Sequence, residues 1–328
     1  MGVRTALGLI TFAFSVLFAA SAQGQGNPAR GFPSKPIRIV VAFAAGGGTD
    51  IIARVIGQKI SESFGQPVLV ENKVGAAGII GTEFVAKSAP DGYTLLMSPS
   101  TAIVVNPVMF SKLPYSSTAD FAPISTVVTY PLLMVVSAAE PIRSVADLIG
   151  YLKSKPNKAN FAGAGGVFQL ALELFKLRTG VQVEYIPYKG TNESANAVMA
   201  GDVLMSIVDA PPVSAAIKSG KVRVLAVTSA RRASFFPDVP TMAESGFPDL
   251  EIQGWMAFLA PAGTPSPITG KLQEELNRIV KLPEVRERIS SFQVEPAGNT
   301  SEELARMISS DIARWTAVAK AGNIKPAN

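Results

Sequence analysis

The chain has no histidine and no cysteine among its 328 residues. Those two absences narrow its chemistry more than any motif it contains. Without histidine there can be no Ser-His-Asp relay and no Cys-His pair, and the usual zinc donor sets are missing too. No serine is followed three positions later by lysine, so a Ser-x-x-Lys nucleophile is also excluded. Carboxylates are plentiful, but none forms a recognisable acid/base pair in the sequence. The chain is therefore read as a non-enzyme that uses no cofactor and no metal. Without cysteine there are no disulfides, which a chain of this length tolerates because it can bury a large core.

Clustered positive charge is equally scarce. The 30 lysines and arginines exceed the 25 acidic residues by a net +5. They are scattered singly, apart from Arg231-Arg232, with no interleaved aromatics, so nucleic acid is not an expected partner. The one long apolar run, Ala6 to Ala20, is too short to span a bilayer. Arg4 precedes it and Ala20-Ser21-Ala22 closes it with an A-x-A pattern, so residues 1–22 read as a signal peptide cleaved after Ala22. The expected product is an exported, periplasmic protein, expected to act as a monomer.

What the sequence does have is a glycine loop between a strand and a helix. Ile37 to Phe43 is a β-branched apolar run of the buried parallel type. Ile51, Ile52, Val55, Ile56, Ile60 and Phe64 then recur at helical spacing, and Gly65 stands at a helix C-terminus. Between them lies Phe43-Ala44-Ala45-Gly46-Gly47-Gly48-Thr49-Asp50. Glycines let the backbone approach a ligand closely, and a helix N-terminus favours an anion. A plain βα turn capped by Thr49 or Asp50 explains the same residues equally well. A P-loop is excluded, because Asp50 and Ile51 follow Thr49 where Lys and Ser/Thr are needed. The later Gly163-Ala164-Gly165-Gly166-Val167-Phe168 ends in phenylalanine and so is no dinucleotide fingerprint.

Strand and helix signals alternate onward through Val68–Val70, Ile79–Val85 and Tyr93–Met97, which predicts a parallel sheet. Ligands of such sheets bind beyond the carboxyl ends of the strands. That rule selects the loop Ser98-Pro99-Ser100-Thr101, whose Ser98, Ser100 and Thr101 hydroxyls suit a carboxylate or else cap the next segment. Two apolar runs, Ile124–Val136 broken at Tyr130-Pro131 and Ile252–Ala260, suggest paired crossings between domains. The expected division is 27–129 plus 254–328 as one discontinuous domain, with 130–253 inserted as a second. In the second domain, Gly165 and Gly166 open a helix carrying Val167 and Phe168, a second glycine turn able to hold the other end of an anion. Asp209 ends the strand Val203–Val208 and either meets ligand or caps the next helix. Lys189 is a charge partner or a solvated turn residue. The helices after Pro267 are read as packing on the first domain.

In combination these motifs resemble the Bug-type substrate-binding proteins of tripartite tricarboxylate transporters. The resemblance rests on Pro33-Ser34-Lys35-Pro36-Ile37-Arg38, Phe43 with the Gly46–Asp50 loop, Gly65-Gln66-Pro67-Val68 and Ala89-Pro90-Asp91-Gly92-Tyr93. It continues through Asp120-Phe121-Ala122-Pro123, Pro187-Tyr188-Lys189-Gly190 and Pro237-Asp238-Val239-Pro240-Thr241. It implies a two-domain α/β fold of the periplasmic-binding-protein type 2 class with a two-strand hinge. It also implies closure on a small carboxylate (a di- or tricarboxylate, an aromatic acid or an acidic amino acid) and delivery to membrane permease subunits. The ligand contacts expected on this basis are Phe43, Gly47, Gly48, Thr49, Asp50, Ser98, Ser100, Thr101, Gly165, Gly166, Val167, Phe168 and Asp209. The family often has proline at Ala42 and Ala45 and histidine at Gln169, so ligand identity does not carry over. A ligand sensor for a membrane signalling partner has the same fold and is the alternative role.

Overall fold

A computed structural model describes residues 29–155 and 159–327, and the signal segment expected at 1–22 lies outside the described residues. The first unit is β1 (Ile37–Val41), α1 (Gly48–Phe64), β2 (Val68–Asn72), α2 (Ile79–Ala86) and β3 (Thr94–Pro99). β1 pairs in parallel with both β2 and β3. Both faces of this sheet are covered. Ile39, Val41, Leu95 and Met97 join Ile52 and Ile56 on one side, while Val40 and Leu96 enter a different cluster on the other. Two-sided burial is why β1 reads as an almost unbroken apolar run. α1 stops where Gly65 takes the left-handed φ of 66° and its N–H bonds the carbonyl of Ser61.

After β3 the chain departs from the loop expected at 98–101. Ser98 and Pro99 are the last residues of β3, and Ser100 opens a helical segment whose π-helical stretch Thr101–Val105 runs into α3 (Asn106–Met109). Ile103, Val104 and Val105 carry strand propensity, but all three are buried in the larger core, and tertiary packing overrides propensity.

The remaining elements are β4 (Phe121–Pro131), β5 (Leu133–Ser137), α4 (Val145–Ser154), β6 (Asn160–Gly163), α5 (Gly166–Thr179), β7 (Glu184–Pro187), α6 (Thr191–Ala200), β8 (Met205–Val208), α7 (Ala210–Lys218), β9 (Val222–Val227), β10 (Gln253–Pro261), α8 (Ser266–Ile279), α9 (Pro283–Ser290), β11 (Glu295–Pro296) and α10 (Ser301–Ala321). The strands make a six-stranded sheet, ordered β11-β4-β10-β3-β1-β2, and a five-stranded sheet, ordered β7-β6-β8-β5-β9. Neither is wholly parallel. β4 carries the chain out of the first sheet and β10 brings it back, so these neighbours run antiparallel. β5 likewise runs against β8 and β9.

The two sheets meet where Leu132, Thr228 and Ile252 come together. The Thr228 backbone N–H bonds the Leu132 carbonyl at 2.9 Å, and the Ile252 N–H bonds the Thr228 carbonyl at 2.8 Å. The Thr228 hydroxyl accepts from the Leu132 N–H at 3.0 Å and donates to the Ile252 carbonyl at 2.5 Å. One buried hydroxyl thus ties together the outgoing and returning strands. α8 packs on the first sheet, contributing Leu272 and Leu276 to its core. α10 departs from the expectation for the C-terminal helices because it touches both lobes. Its Trp315 shares a core with Phe161 and Phe175 of the second lobe, and a Cβ on Gly322, just past its end, would come within 2.8 Å of Glu173. Among the described residues no helix is long and apolar enough to cross a membrane.

Thr228→Val keeps the side-chain volume but leaves the Leu132 N–H and the Ile252 carbonyl short of a partner. Urea unfolding is expected to show a loss of about 1–3 kcal/mol, with an unchanged dependence on denaturant.

Candidate functional site

The cleft between the lobes holds two adjoining cavities, of about 650 Å³ and about 150 Å³. Tyr130 and Asp209 line both and stand at their junction. Tyr130 is the penultimate residue of β4, directly across the ladder from Gly254 of β10. Its ring lies on that glycine so closely that any Cβ there would collide with it. Burial first, then the negative charge of Asp209, pushes the Tyr130 phenol above its ordinary value, and a hydrogen bond with Ser100 only partly offsets this.

Three helix N-termini reach the larger cavity. α1 brings Gly47, Gly48 and Thr49, α6 brings Thr191 and Asn192, and α7 brings Ala210 and Pro211. The smaller cavity receives the helical start at Ser100 and Thr101, and α5 through Gly165 and Gly166. None of α1, α5, α6 and α7 carries a side-chain cap. Ser144 caps α4 and a Thr300/Glu303 capping box opens α10, whereas α2, α3, α8 and α9, whose first residues line neither cavity, are uncapped as well. What sets the four cleft helices apart is that their starts converge on the cleft. First-turn N–H groups have no partner within their own helix, and their dipoles favour negative charge, so the cleft offers an anion several donors. Among the described residues no lysine or arginine lines either cavity.

Comparison with known proteins agrees with this architecture. Residues 52–324 match the model of the tripartite tricarboxylate transporter family receptor. The chain belongs to this family. Protein BugT of Bordetella pertussis is 38% identical over 292 residues, which cover 88% of this chain and 90% of that protein. Among solved structures, R. palustris Rpa4515 with adipate is 32% identical with a TM-score of 0.78, covering 90% of this chain and 100% of that one. MatC from Rhodopseudomonas palustris with bound malate is 30% identical with a TM-score of 0.73, covering 88% and 99%. The family fold, two α/β domains of the periplasmic-binding-protein type 2 class on a two-strand hinge, is the one described above.

Within this receptor fold the residues singled out from sequence divide into two groups. Gly47, Gly48 and Thr49 line the larger cavity. Ser100, Thr101, Gly165, Gly166, Val167 and Phe168 line the smaller one, and Asp209 faces both. Phe43, Asp50 and Ser98 line neither. Phe43 packs instead on Gly78, where a Cβ would stand 2.9 Å from its Cζ. Ser98 is fully buried in β3, and its hydroxyl donates to the Pro99 carbonyl at 3.0 Å. Lys189 is an exposed turn residue, and neither it nor Gln169 reaches a cavity.

Asp50 has a different task from ligand contact. Only 3% exposed, it accepts from the Gly46 N–H at 2.9 Å, Asn72 Nδ2 at 3.0 Å and Arg54 Nε at 3.0 Å. Arg54 Nη2 also approaches its other oxygen at 2.9 Å. Asp50 therefore draws the glycine loop, the helix and β2 together. Burial alone would raise its pKa, but the bonds from Arg54, Gly46 and Asn72 outweigh burial and hold it below the usual aspartate value. Gly46 itself has φ of +80°, a conformation that strains any side chain.

Tyr130, Gln253, Trp315 and Asp311 line the cleft without a ligand-binding signal in the sequence. Tyr130 and Gln253 read as crossing-strand residues. Asp311 accepts from Trp255 Nε1 at 3.1 Å and lies 3.8 Å from Arg314.

Asp50→Asn is expected to loosen the loop and lower stability at neutral pH by about 1–3 kcal/mol. Because the folded pKa is depressed, the wild-type advantage is full above the unfolded aspartate value of about 3.9 and is lost as pH falls through the folded value. Unfolding titrations of both proteins from neutral to acid pH should therefore converge.

Proposed function

We propose that the chain captures a small organic carboxylate in this cleft by domain closure, without turnover, and delivers it to the permease subunits of a tripartite tricarboxylate-type transporter. The working compartment is the periplasm, reached through the N-terminal signal segment, and the working unit is a monomer. The moving bodies are residues 27–129 with 254–328, and residues 130–253. The observation that carries this reading is the convergence of uncapped helix N-termini from both lobes on one cavity. Donors from both sides of a hinge bind a ligand best when the lobes are closed, so ligand shifts the protein toward closure in proportion to its preference for that state. The solved relatives with adipate and malate support a carboxylate as the ligand class.

The proposed contacts in the first lobe are Gly47, Gly48 and Thr49, together with Ser100 and Thr101. In the second lobe they are Gly165, Gly166, Val167, Phe168 and Asp209. Phe43, Asp50 and Ser98 act behind them, through packing and loop closure.

A thermal-shift screen on protein unfolded and refolded to remove resident ligand tests this reading. The panel comprises mono-, di- and tricarboxylates, aromatic acids and amino acids. A cognate ligand at about a thousand times its dissociation constant should add roughly 4 kcal/mol, or several degrees in melting temperature. Gly47→Asp should abolish the shift while leaving the apoprotein folded. Position 47 has an ordinary φ of −74° at the N-cap, where aspartate is favourable, yet its carboxylate would compete for the donors. No shift from any acid with refolded protein would sink the proposal.

A further inference from the structure

The two halves of the cleft differ in charge. α1, α6 and α7 each bring roughly half an elementary positive charge to the larger cavity, against the single carboxylate of Asp209. In the smaller cavity Asp209 is joined by Asp311, and Tyr130, Phe168 and Trp315 complete the wall. The helix starts at Ser100 and α5 reach this compartment too. Their summed half charges, roughly one unit, are set against two carboxylates. Arg314 lies behind the wall, 3.8 Å from Asp311 and stacked 4.5 Å from the Trp315 ring centre, so Asp311 is partly compensated.

Among the described residues Asp209 has no such partner. It stands at the N-cap of α7 with φ of −66°, yet its side chain caps nothing. None of the hydrogen bonds or ion pairs described above reaches it, and burial pushes its carboxyl up to about 6. A carboxylate in a half-buried cleft that neither caps its helix nor pairs with a cation lacks a structural explanation. Such a group destabilises the empty closed form and repels a second anion.

We infer that the ligand is a zwitterion. On this inference, its carboxylate lies on the helix N-termini of the larger cavity and its cationic nitrogen lies at the junction, paired with Asp209 and facing the aromatic wall of the smaller compartment. This rests on the carboxylate reading above and narrows it to carboxylates bearing an ammonium, quaternary ammonium or pyridinium nitrogen. The rings of Tyr130 and Phe168 beside the Asp209 carboxylate, with Arg314 already engaged by Asp311 and Trp315, are the chemistry that recognises such a cation. A plain dicarboxylate would instead place negative charge against Asp209.

Matched ligand pairs separate charge from shape. Suitable pairs are glycine betaine against tert-butylacetate, N-methylnicotinate against meta-toluate, and glutamate against glutarate, each titrated calorimetrically against refolded mature protein. The expected result is that in at least one pair the cationic member binds about tenfold tighter or more, as one desolvated cation–π or ion-pair contact implies. Asp209→Asn should collapse that ratio towards one, chiefly by weakening the cationic member, while Gly47→Asp abolishes both. If the partners without a cationic nitrogen bind as tightly as the zwitterions, or Asp209→Asn leaves the ratio unchanged, the inference fails and the carboxylate reading survives. If no member of any pair binds, the inference fails, and the full acid panel alone decides the carboxylate reading.

Discussion

The cleft depends on one ladder, the antiparallel pairing of β4 with β10. Its register sets Pro131 opposite Gln253 and Tyr130 opposite Gly254, just before the chain passes into the second lobe at Leu132. Because the glycine has no Cβ, the Tyr130 ring can lie against the returning strand, at the junction of the two cavities. The same ladder carries the hinge knot at Thr228, which links both connecting segments through backbone and hydroxyl. A one-residue slip in a ladder sends side chains to the opposite face. Here it would take the ring from the junction and unmake the knot together.

Much of this architecture is legible in the sequence because its signals are local. A β-branched run, a glycine turn and an apolar helix stripe define β1 and α1, and Gly165-Gly166 marks the start of α5 in the same way. The crossings at Tyr130-Pro131 and Ile252 are visible as apolar runs with a break. The missed features are nonlocal. Ile103-Val104-Val105 has strand propensity, but the chain is helical there, with all three residues buried in the core shared by both lobes and Val105 packed beside Gly166, where a Cβ would meet its Cγ1 at 3.2 Å. Trp315 and Asp311 are more than a hundred residues from Tyr130 in sequence, and only the fold brings them to one cavity.

The glycine loop shows why a motif names residues without assigning their roles. Gly46 to Asp50 is a single short string, yet its members divide. Gly47, Gly48 and Thr49 line the cleft, whereas Asp50 turns inward to hold Gly46, Asn72 and Arg54. Helical geometry forces the division. Successive residues at a helix start point in directions about a third of a turn apart, so a loop that presents amides to a ligand must turn some side chains into the protein. Once there, a buried aspartate needs several donors, and the loop supplies one of them.

Uncapped helices are the common thread between stability and function in this chain. A side-chain cap is typically worth about 1 kcal/mol, and the helices that open on the cleft, α1, α5, α6 and α7, do without one. Their first-turn N–H groups must bond to water when the lobes are apart, and closure without ligand would strip that water away. The empty closed state is therefore penalised in proportion to the number of donors facing the cleft. An anion that satisfies those donors removes the penalty in the closed state alone. On the proposed closure, the cleft-facing donors of α1, α5, α6 and α7 would thus be the ones that couple ligand to closure, and Asp209, unpaired among the described residues at the junction, would add to that penalty with the opposite charge.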